Sequence, residues 1–99
     1  MTESFVSLRL LFGGYLNLDW IDDYEDPWEA VTDFANSEPS ASDLPDEVGE
    51  VLSSQLEEGE LRRLVVDELG CGYLPESDGW RYTEWLTELA ARVRETTHL

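Results

Sequence analysis

Apolar residues recur at helical spacing in five stretches of the chain, with turn signals between them. In the first, Phe5, Leu8, Leu11, Phe12, Tyr15 and Leu16 fall on one helical face. Thr2 or Ser4 is placed to cap it, and Gly13-Gly14 disturbs its end. The same segment also alternates, with Val6, Leu8, Leu10 and Phe12 set against Ser7, Arg9 and Leu11, so a strand competes. Helix is the better reading, because no second strand is evident nearby to pair with it.

The next start signal is sharper. Asp26 as N-cap, Pro27 at the first helical position and Glu29 three residues after the cap form an Asp-x-x-Glu variant of the capping box. Trp28, Val31, Phe34 and Ala35 supply the buried stripe, and Asn36-Ser37-Glu38-Pro39 ends it. Ser40-Ala41-Ser42 reads as a small linker. Ser42 or Asp43 then caps a third helix, with Leu44, Val48, Val51, Leu52 and Gln55 or Leu56 on one side. Gly49 interrupts that pattern and weakens it by ~1 kcal/mol relative to Ala. A fourth helix begins around Glu58-Gly59-Glu60, carries Leu61, Leu64, Val65 and Leu69, and stops at Gly70. After a turn-rich connection from Cys71 to Gly79, a fifth begins at Trp80 or Tyr82 and reaches the mid-90s. It turns Tyr82, Trp85, Leu86, Leu89 and Val93 inward. The pattern predicts an all-α fold, a compact bundle of about five helices formed by residues 1–99 as a single domain.

Charge changes the picture. The chain holds 23 acidic and 6 basic residues, every one of the latter Arg, for a net charge of −17. Fifteen of the acids lie in residues 1–58, where Arg9 is the one basic residue. Such a field repels nucleic acid and anionic membranes and draws a basic partner within a Debye length of ~8–10 Å. The bland counterpart is an acidity that serves solubility alone, or one that reflects a high-salt habitat. The single cysteine, Cys71, cannot form an internal disulfide. No secretory signal is evident and no apolar run approaches a bilayer span, so the expected location is the cytoplasm.

Catalytic signatures are thin. The lone histidine, His98, lies next to the C-terminus, where it would hold no nucleophile in place, and Cys71 reads as a small core group. One Cys and one His cannot build a zinc site. An EF-hand loop counted from Asp19 would have Tyr24 at its sixth position and Ala30 at its twelfth, instead of Gly and Glu. Neither a catalytic residue nor a metal or cofactor site is expected.

The densest cluster is Gly13–Val31, with two Trp, two Tyr, six carboxylates and no positive charge, read as a loop running into a helix. Tyr15, Trp28 and Trp20 are expected in the core, and Asp26 as a cap. That leaves Asp19, Asp22, Asp23 and Glu25, with Tyr24, as candidate partner-binding residues. Aromatics exposed beside charges are common in binding hot spots. A plain solvated loop competes on even terms.

Gly14-Tyr15, Asp19-Trp20, Val31 and Phe34, Leu69-Gly70-Cys71-Gly72-Tyr73, Pro75, Gly79, Tyr82 and Trp85-Leu86 together resemble a known family. It is the small α-helical family of contact-dependent growth inhibition immunity proteins, the antidotes of bacterial toxin systems. The likeness runs from about Leu8 to Leu89, and Leu16-Asn17-Leu18 departs from the aromatic and polar residues common there. The resemblance implies a non-catalytic inhibitor that binds the C-terminal domain of a toxin, in many systems a nuclease with a basic groove. An acidic adaptor, or a nucleic-acid mimic blocking a basic DNA- or RNA-binding protein, is the alternative. Oligomeric state is not legible.

Overall fold

The computed structural model describes residues 5–97, so the expected cap at Thr2 or Ser4 and the terminal His98 lie outside the described residues. Six α-helices and no strand occur among the described residues. The helix reading of the N-terminal segment therefore holds. Helix α1 spans Val6–Leu10 and continues as a wide π turn over Leu11–Tyr15. The Leu16 amide closes that turn on the Leu11 carbonyl at 2.8 Å. Gly13-Gly14 lie in this widened last turn, a disturbance of the helix end as expected, and Leu16 follows it into the core.

The segment read as a loop contains a one-turn helix, α2, at Trp20–Asp23. Helix α3 spans Pro27–Ser37, and its Asp26 cap forms as expected, with Oδ1 accepting the Glu29 amide at 3.0 Å. Glu29 reaches back one residue further than a capping box requires, accepting the Glu25 amide at 2.8 Å. The expected Ser40-Ala41-Ser42 linker is a 3₁₀ turn, Pro39–Asp43, which buries Ala41 and leads into α4, Leu44–Ser53. Neither Ser42 nor Asp43 caps α4 through its side chain; the Ser42 hydroxyl donates to the Pro39 carbonyl. Helix α5, Glu58–Arg62, opens with a Glu57–Glu60 capping box and runs on through a π turn, Arg63–Glu68. Gly70 follows at φ 83°, the left-handed stop that a side chain would strain. Helix α6, Tyr82–Thr97, packs against α3, α4 and α5.

Trp85 of α6 is wholly buried. Phe12 stacks on it at 5.9 Å between ring centroids, Tyr73 lies at 5.7 Å and Trp28 at 6.2 Å. Its Nε1 finds no acceptor, a cost of ~1–3 kcal/mol. Burying a ring of ~150–250 Å² at ~25 cal/mol per Å² contributes ~4–6 kcal/mol, so the packing term wins.

The three expected core rings, Tyr15, Trp20 and Trp28, sit further out, partly buried against the core. Tyr15 is half-buried, edge-on to Phe34 at 5.6 Å, with its hydroxyl donating to Glu38 at the surface. Trp28 is half-buried as well, packed on Trp85 with the Arg92 guanidinium 4.0 Å over its ring.

Acidic side chains also join the helices. Glu47 of α4 accepts the Ser7 and Leu8 amides at 3.0 and 2.8 Å, capping α1 from another element. Glu58 does the same for α6: it accepts the Tyr82 amide at 2.6 Å, and the Thr83 hydroxyl and amide at 2.9 and 3.2 Å. Burial alone would raise the Glu58 pKa, but these hydrogen bonds and nearby Arg81 hold it below the ordinary value.

Two outcomes follow for stability. Trp85→Ala should cost ~3–5 kcal/mol in urea unfolding, and a variant folded to wild-type stability would contradict this core. A carboxylate held below its ordinary pKa contributes stability above the glutamate range, and that contribution fades as pH falls through ~4.3 and lower. Glu58→Gln should therefore be less stable than wild type at pH 7, with the gap closing towards pH 3. A constant gap in urea midpoints across that range would deny the cap its charge.

Candidate functional site

The segment from Leu16 to Glu25 is held from inside the fold. The Gly72 amide donates to the Leu16 carbonyl at 2.5 Å. A Cβ on Gly72 would overlap the Asn17 carbonyl group and sit 2.6 Å from the Leu18 nitrogen, so only glycine lets the two strands of chain pass this closely. Asn17 then organises the turn. Its Oδ1 accepts the Asp19 amide at 2.9 Å, and its carbonyl accepts the Trp20 amide at 3.0 Å.

Trp20, which opens α2, and Tyr24, the residue after that helix, pack towards the body of the protein. Trp20 meets Tyr73 edge-on at 5.7 Å, and the Tyr24 hydroxyl donates to Asp33 of α3. Burial, reinforced by that bond, pushes the Tyr24 hydroxyl's pKa up. Tyr24 is thus half-buried and pinned, and stays a neutral phenol at physiological pH.

The acids point the other way. Asp19, Asp22, Asp23 and Glu25 are exposed. Their carboxylates make no hydrogen bond or ion pair with any described residue. Asp22, Asp23, Tyr24 and Glu25 line one cleft of about 320 Å³ together with Ile21 and Glu29. Asp19 stands outside that cleft, at the turn before α2. Tyr24 is also a wall of the neighbouring cleft, about 510 Å³, which Asp26, Trp28, Glu29, Thr32 and Asp33 complete.

Two exposed apolar residues beside the acids escape the sequence reading. Leu18, just before Asp19, is 85% exposed, and Ile21, just before Asp22, is 68% exposed. A signal existed: Leu18 belongs to the Leu16-Asn17-Leu18 departure, and Ile21 is the aliphatic residue between Trp20 and Asp22. Which face of α2 turned inward could not be read from four residues.

Other tyrosines also spend carboxylates. Tyr73 donates to Asp78 at 2.6 Å, Tyr82 to Glu76 at 2.6 Å and Tyr15 to Glu38 at 2.7 Å. The bond to Glu38, with burial and the Glu38 charge, pushes the Tyr15 pKa up to about 12. Burial likewise pushes the Cys71 thiol up to about 12, and its Sγ donates to the Tyr73 carbonyl. That sulfur is a thiol at neutral pH and no nucleophile. Among the described residues no His, Cys, Asp and Glu cluster is suited to a metal ion, and no helix is long and apolar enough to cross a membrane.

Residues 4–93 match the family model described as CdiI immunity protein. The fold is similar to a chain in the crystal structure of the CdiA-CT/CdiI complex from Y. kristensenii 33638, with a TM-score of 0.79 at 21% identity. The match covers 96% of this chain and 99% of that one. No curated protein matches the chain.

Gly72→Ala tests the support of the site. The added methyl has backbone on its far side and cannot displace a flexible tip. A loss on the order of 1–3 kcal/mol in urea unfolding is expected. Wild-type stability together with an unaltered environment of Trp20 by near-ultraviolet circular dichroism would show that the two segments have room to spare.

Proposed function

The chain belongs to the CdiI immunity protein family, and from that premise we propose that it neutralises a CdiA-CT-type toxin domain by docking the α2 segment on it. The solved CdiA-CT/CdiI complex, whose fold this chain shares, supports that choice of partner. The observation that carries the reading is the cleft where Asp22, Asp23 and Glu25, without internal hydrogen-bond partners among the described residues, surround Tyr24.

The mechanism is occupation, not chemistry. Carboxylates free of internal partners keep their full charge available to a basic surface, and they speed encounter before any contact forms. Asp19 extends the negative edge beyond the cleft. Tyr24 is already fixed by Asp33, so holding its ring against a partner costs little additional side-chain entropy. The protein acts as an inhibitor with no reaction of its own, as one domain over residues 1–99, in the cytoplasm where an arriving toxin does its damage. One buried apolar cluster, fed by five of the six helices and by the connector to α6, supports the single-domain reading.

A nucleic-acid mimic would need its acids laid out along an extended surface. Here Glu47, Glu58, Glu76, Asp78, Asp33 and Glu38 are committed to hydrogen bonds within the fold. The immunity reading is the better fit.

Reversing both Asp22 and Asp23 to Lys should slow association with the cognate toxin domain by roughly tenfold at low salt. It should also flatten the salt dependence while leaving helicity unchanged. Unchanged association, with full protection of toxin-challenged cells, would remove this face from the interface.

A further inference from the structure

Three large apolar side chains stand exposed among the described residues: Val6 at 49%, Leu18 at 85% and Ile21 at 68%. Two of the three fall within four consecutive residues of the segment that also carries Asp19, Asp22, Asp23 and Glu25. Single exposed aliphatics are ordinary, but a pair three residues apart on a short, well-held segment beside an acidic edge is not.

The segment is also rigid where it matters. Leu16 is buried and bonded to Gly72, the Asn17 side chain closes the turn at Asp19, and Trp20 packs edge-on against Tyr73. Leu18 and Ile21 are therefore presented by backbone whose ordering is completed on folding, which lowers the entropy lost on binding.

We propose that Leu18 and Ile21 are the apolar anchors of the interface. They seat in an apolar recess of the toxin domain rimmed by Lys or Arg side chains, and the carboxylates around them steer and align. The proposal rests on the docking reading of α2 and adds which atoms hold the complex together once formed. Charge selects this occupant. A second copy of the chain would bring the same four carboxylates against these, and anionic lipid would meet the same repulsion. A protein surface with a basic rim and an apolar centre meets both features at once. Division of labour follows: charges at the edge act mainly on association, and desolvated side chains at the centre act mainly on dissociation.

The test compares two variants of the full chain against the purified toxin domain, with association and dissociation rates measured across a range of salt. Leu18→Ala with Ile21→Ala should raise the dissociation rate roughly tenfold or more, leaving the association rate and its salt slope as in wild type. Leu18→Gln with Ile21→Gln should do the same, and circular dichroism should show both variants folded. An unchanged dissociation rate in both pairs would overturn the anchor proposal. If the Asp22 and Asp23 reversals still slow association in that case, the docking reading survives without the anchors. If no variant alters either rate, both fall. Sedimentation of the chain alone gives the remaining arm: a wild-type dimer that Leu18→Ala with Ile21→Ala dissolves would assign the patch to self-association and overturn the proposal.

Discussion

Glu58 holds the start of α6, and the remaining helices depend on where α6 lies. Its two carboxylate oxygens take up the Tyr82 amide and both donors of Thr83, groups that an α-helix leaves open at its first turn. With that end tied to α5, the helix runs past α3 and α4 and brings Trp85 between Phe12, Tyr73 and Trp28. The arrangement costs one unsatisfied indole nitrogen, and the area of the ring outweighs it.

The same device recurs elsewhere in this acid-rich chain. Glu47 caps α1 across a gap of about forty residues in sequence, and each of the four tyrosine hydroxyls donates to a carboxylate. A carboxylate that accepts a hydrogen bond has part of its charge satisfied locally, and the donor gains a strong acceptor. The protein therefore carries two kinds of acid. One kind ties helices, turns and rings together. The other kind, which includes Asp19, Asp22, Asp23 and Glu25, makes no such bond among the described residues.

Presentation of that second set depends on the connector between α5 and α6. Gly72 and Tyr73 lie beneath the α2 segment: the glycine as a point of near contact, the tyrosine as a platform for Trp20. A short helix of four residues has little stability of its own, because nucleation is unfavourable and few hydrogen bonds follow it. It exists here because the fold supports it from below.

Much of this was legible before any coordinates. Long apolar periods marked α3, α4, α5 and α6, since burial of one face dominates helix stability and leaves its period in the sequence. Asp26-Pro27 marked the start of α3 and Gly70 the stop after α5, because caps act through local backbone geometry. The five candidate partner-binding residues could be named from charge and aromatic content alone, though not told apart. Local signals failed where the partner was distant. Ser42 and Asp43 looked like caps, yet the backbone turned through 3₁₀ geometry before α4, and the decisive caps came from Glu47 and Glu58 on other helices.

The acidic cluster shows the same division. The chain by itself determined that Gly13–Val31 would be acidic, aromatic and uncompensated, and that Asp26 would begin a helix, because composition and caps are properties of neighbouring residues. Only the tertiary structure decided that Trp20 and Tyr24 turn inward, that Leu18 and Ile21 stand out, and that Asp22, Asp23 and Glu25 share one cleft. Those outcomes depend on Gly72, Tyr73 and Asp33, which the fold brings to the segment from elsewhere.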